Sequence, residues 1–353
     1  MKIGIFGLPL AGKKTVFKIL TGNSPVEISH KQEPVDGFTE IDDPRLYQLR
    51  EIYKPKRTVK SRIYLELLPD LSGEIVASGR IFPMLGDCDA LCSIVRHFSD
   101  DRVYHPEGSV DPARDIRNIN SEILLHDLAF VEKRIEKLEK EKKPAPAASR
   151  GELGLMLKLK RVLEEEKPLR TVEFQPEEKP MISGYPFLTL KPMVTVLNLG
   201  EDEPAENKPM LDSIFNNDKM LKVGFCAKIE SEIQELPPGN EREEMLEAMG
   251  ISMPAAETLK KTFLAALNQM SFFTASGDEL RQWLAPAGST AEKAAGKIHT
   301  DMERGFIKAE VIKFDDLIFA GSEEKAAGLG TRMLKGRDYP VNDGDIMSIR
   351  FNV

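Results

Sequence analysis

Apolar positions open the chain as a short unbroken run, "KIGIF" at residues 2–6, followed by a loop from Gly7 to Lys13 and then by "TVFKIL". A run this short predicts a buried strand, and "TVFKIL" begins a helix. Strand-length apolar runs recur at 63–68 ("IYLELL"), 90–95 ("ALCSIV"), 193–199 ("MVTVLNL") and 222–227 ("KVGFCA"). Long connections separate them, which predicts a mainly parallel sheet covered by helices on both faces.

The period changes between the third and fourth of these strands. In "INSEILLHDLAFVEKRIEKLEKEKK", Leu124, Leu128, Val131, Ile135 and Leu138 recur at steps of four and three, a heptad-like seam. Glu136 and Lys140 add an i,i+4 pair. "KPAPAASRG" breaks the run and "ELGLMLKLKRVLEEE" resumes it, so an antiparallel helical hairpin is expected as an insertion. It serves either as a solvated structural arm or as a partner-binding arm. Near the C-terminus, "FIKAEVIKF" and "DYPVNDGDIMSIRFNV" read as strands with Gly/Asp turns. A separate small α+β domain is expected there, with its boundary near Met270 to Phe273.

Length and charge narrow the classes. A chain of 353 residues exceeds one typical core and predicts two or three domains. The net charge of -8 removes any global basic footprint, so contact with RNA would need a local patch. Cys88, Cys92 and Cys226 do not form a metal-binding set; Cys92 and Cys226 sit in apolar runs and are expected to be buried thiols. "MKIGIFGLPL" carries no cleavage site, and no apolar run approaches the roughly 20 residues of a membrane span. A cytoplasmic protein, monomeric or weakly dimeric, is expected.

The chemistry begins in "GLPLAGKKT". Gly7, Gly12 and Lys13 match the phosphate-binding pattern G-x-x-x-x-G-K-[S/T]. Its glycines let backbone N–H groups turn inward, and the helix N-terminus favours anions. Lys13 would reach the β- and γ-phosphates. The next position, where a hydroxyl normally ligates Mg²⁺, is Lys14. A charged ammonium cannot ligate a cation, and Thr15 comes one residue late. Either Lys14 points to solvent and the metal is weakly held, or its charge stands in for part of the metal's.

Longer motifs carry a resemblance. They are "GIFGLPLAGKKTVFKILTG", "DDPRLYQLREIYKPKR", "IVRHFSDDRVYHPEGSVDPARDIRNINSEILLHDL", "VLNLGEDE", "FCAKIESEIQELP", "FFTASGDELRQWLAPAGSTAEKAAGKIHTDMERGFIKAEVIKFDDL" and "GRDYPVNDGDIMSIRFNV". On these the chain resembles the YchF family, the Obg-like ATPases, over nearly its whole length. The resemblance implies a P-loop G domain in two parts (1–120 and 169–270), an inserted helical coiled-coil domain (121–168) and a C-terminal TGS domain of ubiquitin-like β-grasp fold (271–353). It implies binding of ATP at least as readily as GTP, and association with the ribosome or ribosomal RNA. The family's base motif is N-x-x-E, supplied here by Asn198 and Glu201, with Ala227 and Lys228 on the last loop. With Gly7, Leu10, Ala11, Gly12, Lys13, Lys14 and Thr15 these make the expected nucleotide site. Arg332, Lys335 and Arg337 form a local basic cluster in the TGS region, open to RNA contact or merely solvated.

Departures from the family concentrate on the reaction. Besides Lys14, the switch I region reads "VEISHKQEPVDG" and places Lys31 at the switch threonine. The D-x-x-G element is supplied by Asp70 and Gly73 if a small insertion is allowed, or falls on Leu67 without one; Asp70 is preferred because it closes a strand, and is the candidate metal ligand. The family's histidine considered for catalysis corresponds to His105, whose bland reading is a surface loop residue. His299 is expected to be structural, and His30, His97 and His126 have no constellation around them. Three functions follow: a nucleotide-binding protein with slow or absent hydrolysis, an ATPase with a metal site rebuilt on Asp70 and Glu66 or Glu74, or a nucleotide-free scaffold.

Overall fold

A computed structural model describes residues 1–22, 33–140, 147–203 and 221–352. The strands in chain order are Lys2–Phe6 (β1), Val35–Glu40 (β2), Arg57–Val59 (β3), Arg62–Leu67 (β4), Ala90–Arg96 (β5), Met193–Asn198 (β6), Leu221–Phe225 (β7), Gln269–Ser276 (β8), Glu279–Pro286 (β9), Phe306–Ile312 (β10), Met333–Lys335 (β11) and Ile346–Phe351 (β12). They form two six-stranded sheets, ordered β2-β4-β1-β5-β6-β7 and β11-β10-β12-β8-β9-β3. The chain divides into two compact units, Met1–Phe38 with Tyr64–Thr262, and Thr39–Ile63 with Phe263–Val353.

In the first unit, β1 pairs in parallel with β4 and β5, β5 with β6, and β6 with β7. Every residue of β5 and β6 is buried. That is why both read as unbroken apolar runs: a parallel strand covered on both faces has no solvent side to mark with polar residues. The connection after β1 leads to β2 on one side and that after its neighbour β5 leads to β6 on the other, so the C-terminal ends of β1 and β5 form a topological switch point, where open α/β sheets place ligands. Cys88, Cys92 and Cys226 are all buried and unpaired. Burial, with help from Glu66, pushes the Cys88 thiol up to about 12.

The insertion is an antiparallel helical hairpin, Pro112–Lys140 and Ala147–Glu164. Asp111 starts the first helix by accepting from Arg114 N at 3.0 Å, and Pro112 at the first position loses no bond there. The seam residues Leu124, Val131, Ile135 and Leu138 pack on Leu155, Met156, Leu159 and Leu163. Arg134 pairs with Glu152 and Lys160 with Glu132, and the falling and rising numbers fix the antiparallel sense. The first helix is longer than the heptad run. Its opening turns put Ile116, Ile119 and Ile123 into the core of the sheet, so the expected division at 120/121 falls within one continuous helix. Buried Asp127 anchors the returning chain by accepting from Leu188 N, Thr189 N and Thr189 Oγ1 at 2.7–3.1 Å.

The second unit is the C-terminal β-grasp domain, and its membership differs from the expected 271–353. Thr39–Ile63 lies with it. β3 adds to the edge strand β9 in parallel, with Arg57 opposite Glu279 and Val59 opposite Arg281. The helix Pro44–Tyr53 buries Leu46 and Leu49 against Phe273 and Leu280. Arg45 reaches Asp343 at 2.7 Å. The segment therefore closes one sheet edge and one sheet face, a gain its 25 residues could not reach alone.

Leu159 is fully buried in the hairpin core. Leu159→Ala is expected to cost about 2–5 kcal/mol. The check is amide exchange, which should accelerate more within Ala147–Glu164 than in β5 and β6.

Candidate functional site

The loop after β1 takes its shape from two glycines that no other residue replaces without displacement. Gly7 has φ 147° and Gly12 φ 95°. A Cβ on Gly7 would strike the carbonyl oxygen of Ile94, and one on Gly12 the amide nitrogen of Asn198. Leu10 between them is also left-handed, with φ 60°, and is 55% exposed. A non-glycine residue held there stores about 1–3 kcal/mol, a cost that accumulates at ligand sites. Lys13 then opens the helix Lys13–Thr21, capped by Gly12.

Lys13 is buried to 4% exposure. Its ammonium donates to Gly7 O at 3.0 Å and Leu8 O at 2.6 Å, and pairs with Asp70 Oδ1 at 2.5 Å. Burial lowers its pKa, the Asp70 carboxylate raises it, and Lys14 adds a lowering repulsion. Asp70 itself is half exposed at the end of β4, before Ser72 leads into the short helix Gly73–Ala77. Leu67 is buried inside β4. Asp70, the preferred of the two D-x-x-G candidates, thus faces Lys13. Lys14 is exposed and Thr15 half-buried.

The base loops converge on the same end of the sheet. Asn198, at the end of β6, donates from Nδ2 to Ala11 O at 3.1 Å and accepts at Oδ1 from Ala227 N at 3.0 Å. One side chain thereby ties together the loops after β1, β6 and β7. Glu201 and Lys228 pair at 2.6 Å, both more than half exposed. Every expected nucleotide contact from Gly7 to Lys228 therefore lies at the carboxyl end of β1, β6 or β7, in the strand's last residue, the loop after it or the helix that follows.

The reaction residues stand differently. His105 is not a surface residue but 5% exposed. Its Nε2 lies 3.0 Å from buried Asp115 Oδ2, and its Nδ1 accepts from Glu107 N at 3.2 Å. Glu66 is committed to Lys2 at 3.1 Å, away from the loop. Lys31, His30 and most of the switch I run fall outside the described residues. Among the described residues no cluster of three or more His, Cys, Asp or Glu could hold a metal ion. The groups present fit a nucleotide's phosphates, through glycine-shaped backbone and Lys13. They do not fit the usual Mg²⁺ set, since the hydroxyl position is an ammonium and Asp70 is engaged by Lys13.

Three features escaped the sequence reading. His97 and His126 do have partners: His97 Nδ1 lies 2.9 Å from Glu203 Oε2, and His126 stacks on Phe82 at 4.2 Å between centroids. Arg96 is buried at the end of β5 and donates to the carbonyls of Phe98 and Val103 at 3.1 and 3.0 Å, which folds the loop carrying His105. A charged residue closing an apolar run was its only signal. In the second unit, His299 caps the short helix Thr300–Arg304. Of the basic cluster, Arg332 pairs with Glu310, Arg337 with Glu292, and Lys335 lies over the Tyr339 ring.

Comparison with known proteins finds similarity along the full length of the chain. Residues 269–352 match the family YchF-GTPase_C, described as a protein of unknown function (DUF933). The chain is 38% identical to the ribosome-binding ATPase YchF of Pasteurella multocida, over 100% of this chain and 99% of that one. It is 36% identical to the Bacillus subtilis protein of the same name, over 99% of each. Obg-like ATPase 1 of Bos taurus is 36% identical, over 100% of this chain and 92% of its own. The solved structure of the Schizosaccharomyces pombe YchF GTPase superposes with a TM-score of 0.82 at 26% identity, covering 99% of this chain and 97% of that one.

Asn198→Ala is expected to destabilise the first unit by about 1–3 kcal/mol, because Ala227 N–H is left buried without its acceptor. A urea titration of the full chain measures it; an unchanged midpoint would show the amide ties to be dispensable.

Proposed function

Because the chain belongs to the YchF family of Obg-like ATPases, we propose that it binds a purine nucleotide, ATP or GTP, in the P-loop cradle and hydrolyses it slowly or not at all. The observation that carries this reading is Lys13, held ready inside a glycine-shaped loop beside Asp70, with exposed Lys14 where a metal-ligating hydroxyl would stand. Binding uses the backbone, Lys13 and the base loops, all of which are assembled. Phosphoryl transfer draws mainly on positioning and on metal that neutralises developing charge. His105 is buried and held against Asp115, which adds to the expected loss of rate.

The Pasteurella multocida and Bacillus subtilis relatives are ribosome-binding ATPases, and we assign this chain the same setting: cytoplasmic, at the ribosome, with nucleotide as the ligand that biases it. Its Arg332, Lys335 and Arg337 cluster is the candidate RNA contact, although Glu310 and Glu292 already neutralise its two arginines. A rebuilt metal site is the second reading. It retains Asp70 and Glu74 but not Glu66, which serves Lys2.

Calorimetry with ATP and GTP, with Mg²⁺ and with EDTA, tests the proposal. Binding is expected to survive EDTA and to be lost in Lys13→Ala. Turnover in the unaltered chain is expected to be slow, and Lys14→Ser to raise it by at least about tenfold, the effect of 1.4 kcal/mol of recovered charge stabilisation. Normal turnover that Lys13→Ala abolishes would overturn the reading, and a fall on Lys14→Ser would favour a rebuilt site. No binding in either condition would leave the scaffold.

Asp70 competes with phosphate for Lys13. Asp70→Asn is therefore expected to tighten metal-free ATP binding by up to about fivefold, the worth of a half-exposed ion pair. Weaker binding in this variant would mean that Asp70 helps hold the nucleotide.

A further inference from the structure

We propose that His97 and Glu203 are positioning residues for nucleobase recognition: they brace the turn Asn198–Glu201 so that affinity for the base, and not for the phosphates, depends on them. The inference rests on the nucleotide reading above and assigns these two side chains a part in that site.

One carboxylate oxygen does the bracing. Glu203 Oε2 accepts from Gly200 N at 2.9 Å and lies 2.9 Å from His97 Nδ1. The backbone closes the same turn, with Glu203 N donating to Gly200 O at 3.3 Å. On the other side, the N–H groups of His97 and Phe98 both donate to Asn198 O, at 2.9 and 3.1 Å. The turn is thus fastened to the end of β5 by main chain at Asn198 and by side chain at Gly200.

This matters for the base because Gly200 lies between the two residues of the N-x-x-E motif. A glycine there has the widest backbone freedom of any residue, so without a brace Glu201 would have to be ordered when ligand arrives. The Asn198 amide has one N–H committed to Ala11 O and its oxygen to Ala227 N. Its second N–H is the donor left for an acceptor on a purine edge. Holding Asn198 and Glu201 in fixed relation therefore sets the recognition geometry. His97 and Glu203 are 20% and 34% exposed, shielded enough for the pair to hold one arrangement. Their hydrogen bonds and ion pair run to Gly200, Asn198 and each other and not to the loop Gly7–Lys13, so their loss is expected to leave the phosphate cradle intact.

The test uses the full chain and three variants, Glu203→Ala, Glu203→Gln and His97→Ala, each titrated calorimetrically with ATP, GTP and inorganic tripolyphosphate. Glu203→Ala is expected to weaken ATP and GTP by about tenfold, in the range for a lost acceptor on a partly buried N–H. Tripolyphosphate, which has no base, should change by less than about twofold. Glu203→Gln keeps an oxygen for Gly200 N and should recover most of the loss, while His97→Ala should fall between. Equal weakening of tripolyphosphate, or unchanged ATP and GTP affinity in Glu203→Ala, overturns the proposal while leaving nucleotide binding standing. An unaltered chain that binds tripolyphosphate no worse than ATP and GTP also overturns it. An unaltered chain that binds none of the three overturns the nucleotide reading and the brace with it.

Discussion

A lysine ammonium taken out of water dictates the layout of the first unit. Removing such an ion from solvent is affordable only where oppositely charged or strongly dipolar groups replace its hydration. Lys13 finds them in Gly7 O, Leu8 O and Asp70. The two carbonyls exist in that place because Gly7 and Gly12 adopt left-handed conformations against the backbone of β5 and the amide of Asn198. The carboxylate exists there because β4 runs parallel beside β1 and ends one turn before Asp70. A single cation thus fixes the loop after β1 and the segment after β4 in relation to each other.

That segment is not isolated from the arm. Ile75, Ile81 and Leu85, which follow Asp70, share one apolar core with Ile116, Ile119 and Ile123 from the base of the long helix, and Phe82 stacks on His126 a turn further out. The helix then leaves the sheet and carries the hairpin. Asp127 satisfies the backbone of the returning chain at Leu188 and Thr189, in the turn before β6. The inserted hairpin is therefore joined to the site at two points, through the switch segment and through the strand that ends in Asn198. Packed cores of this kind have discrete arrangements and do not deform continuously.

Much of this was legible because it is local. A strand, a glycine loop and a helix within twenty residues announce the cradle, and a heptad seam announces the hairpin. Buried parallel strands show as apolar runs. What stayed hidden depends on partners distant in sequence. His97 and Glu203 are 106 residues apart, and no periodicity links them. Arg45 and Asp343 stand nearly the whole chain apart, so a helix and a short strand at 44–59 gave no sign of which sheet would receive them. The division expected at residue 120 failed to mark an element boundary for a simpler reason. The apolar spacing at Ile116, Ile119 and Ile123 continues directly into the heptad, and a helix has no cause to end where its neighbours change.

Lys14 is the departure whose consequence reaches furthest. Two adjacent ammonium groups at one helix N-terminus repel, and the buried one loses proton affinity to its neighbour as well as to burial. An anion in the cradle removes this repulsion, and no metal is needed to do so. The same two charges that make the empty site costly make an anionic occupant favourable, because the helix terminus and the loop amides already point that way. A divalent cation placed beside Lys14 would restore the repulsion. On the proposed nucleotide reading, Lys14 would therefore set metal against nucleotide, where in an ordinary P-loop the two support each other.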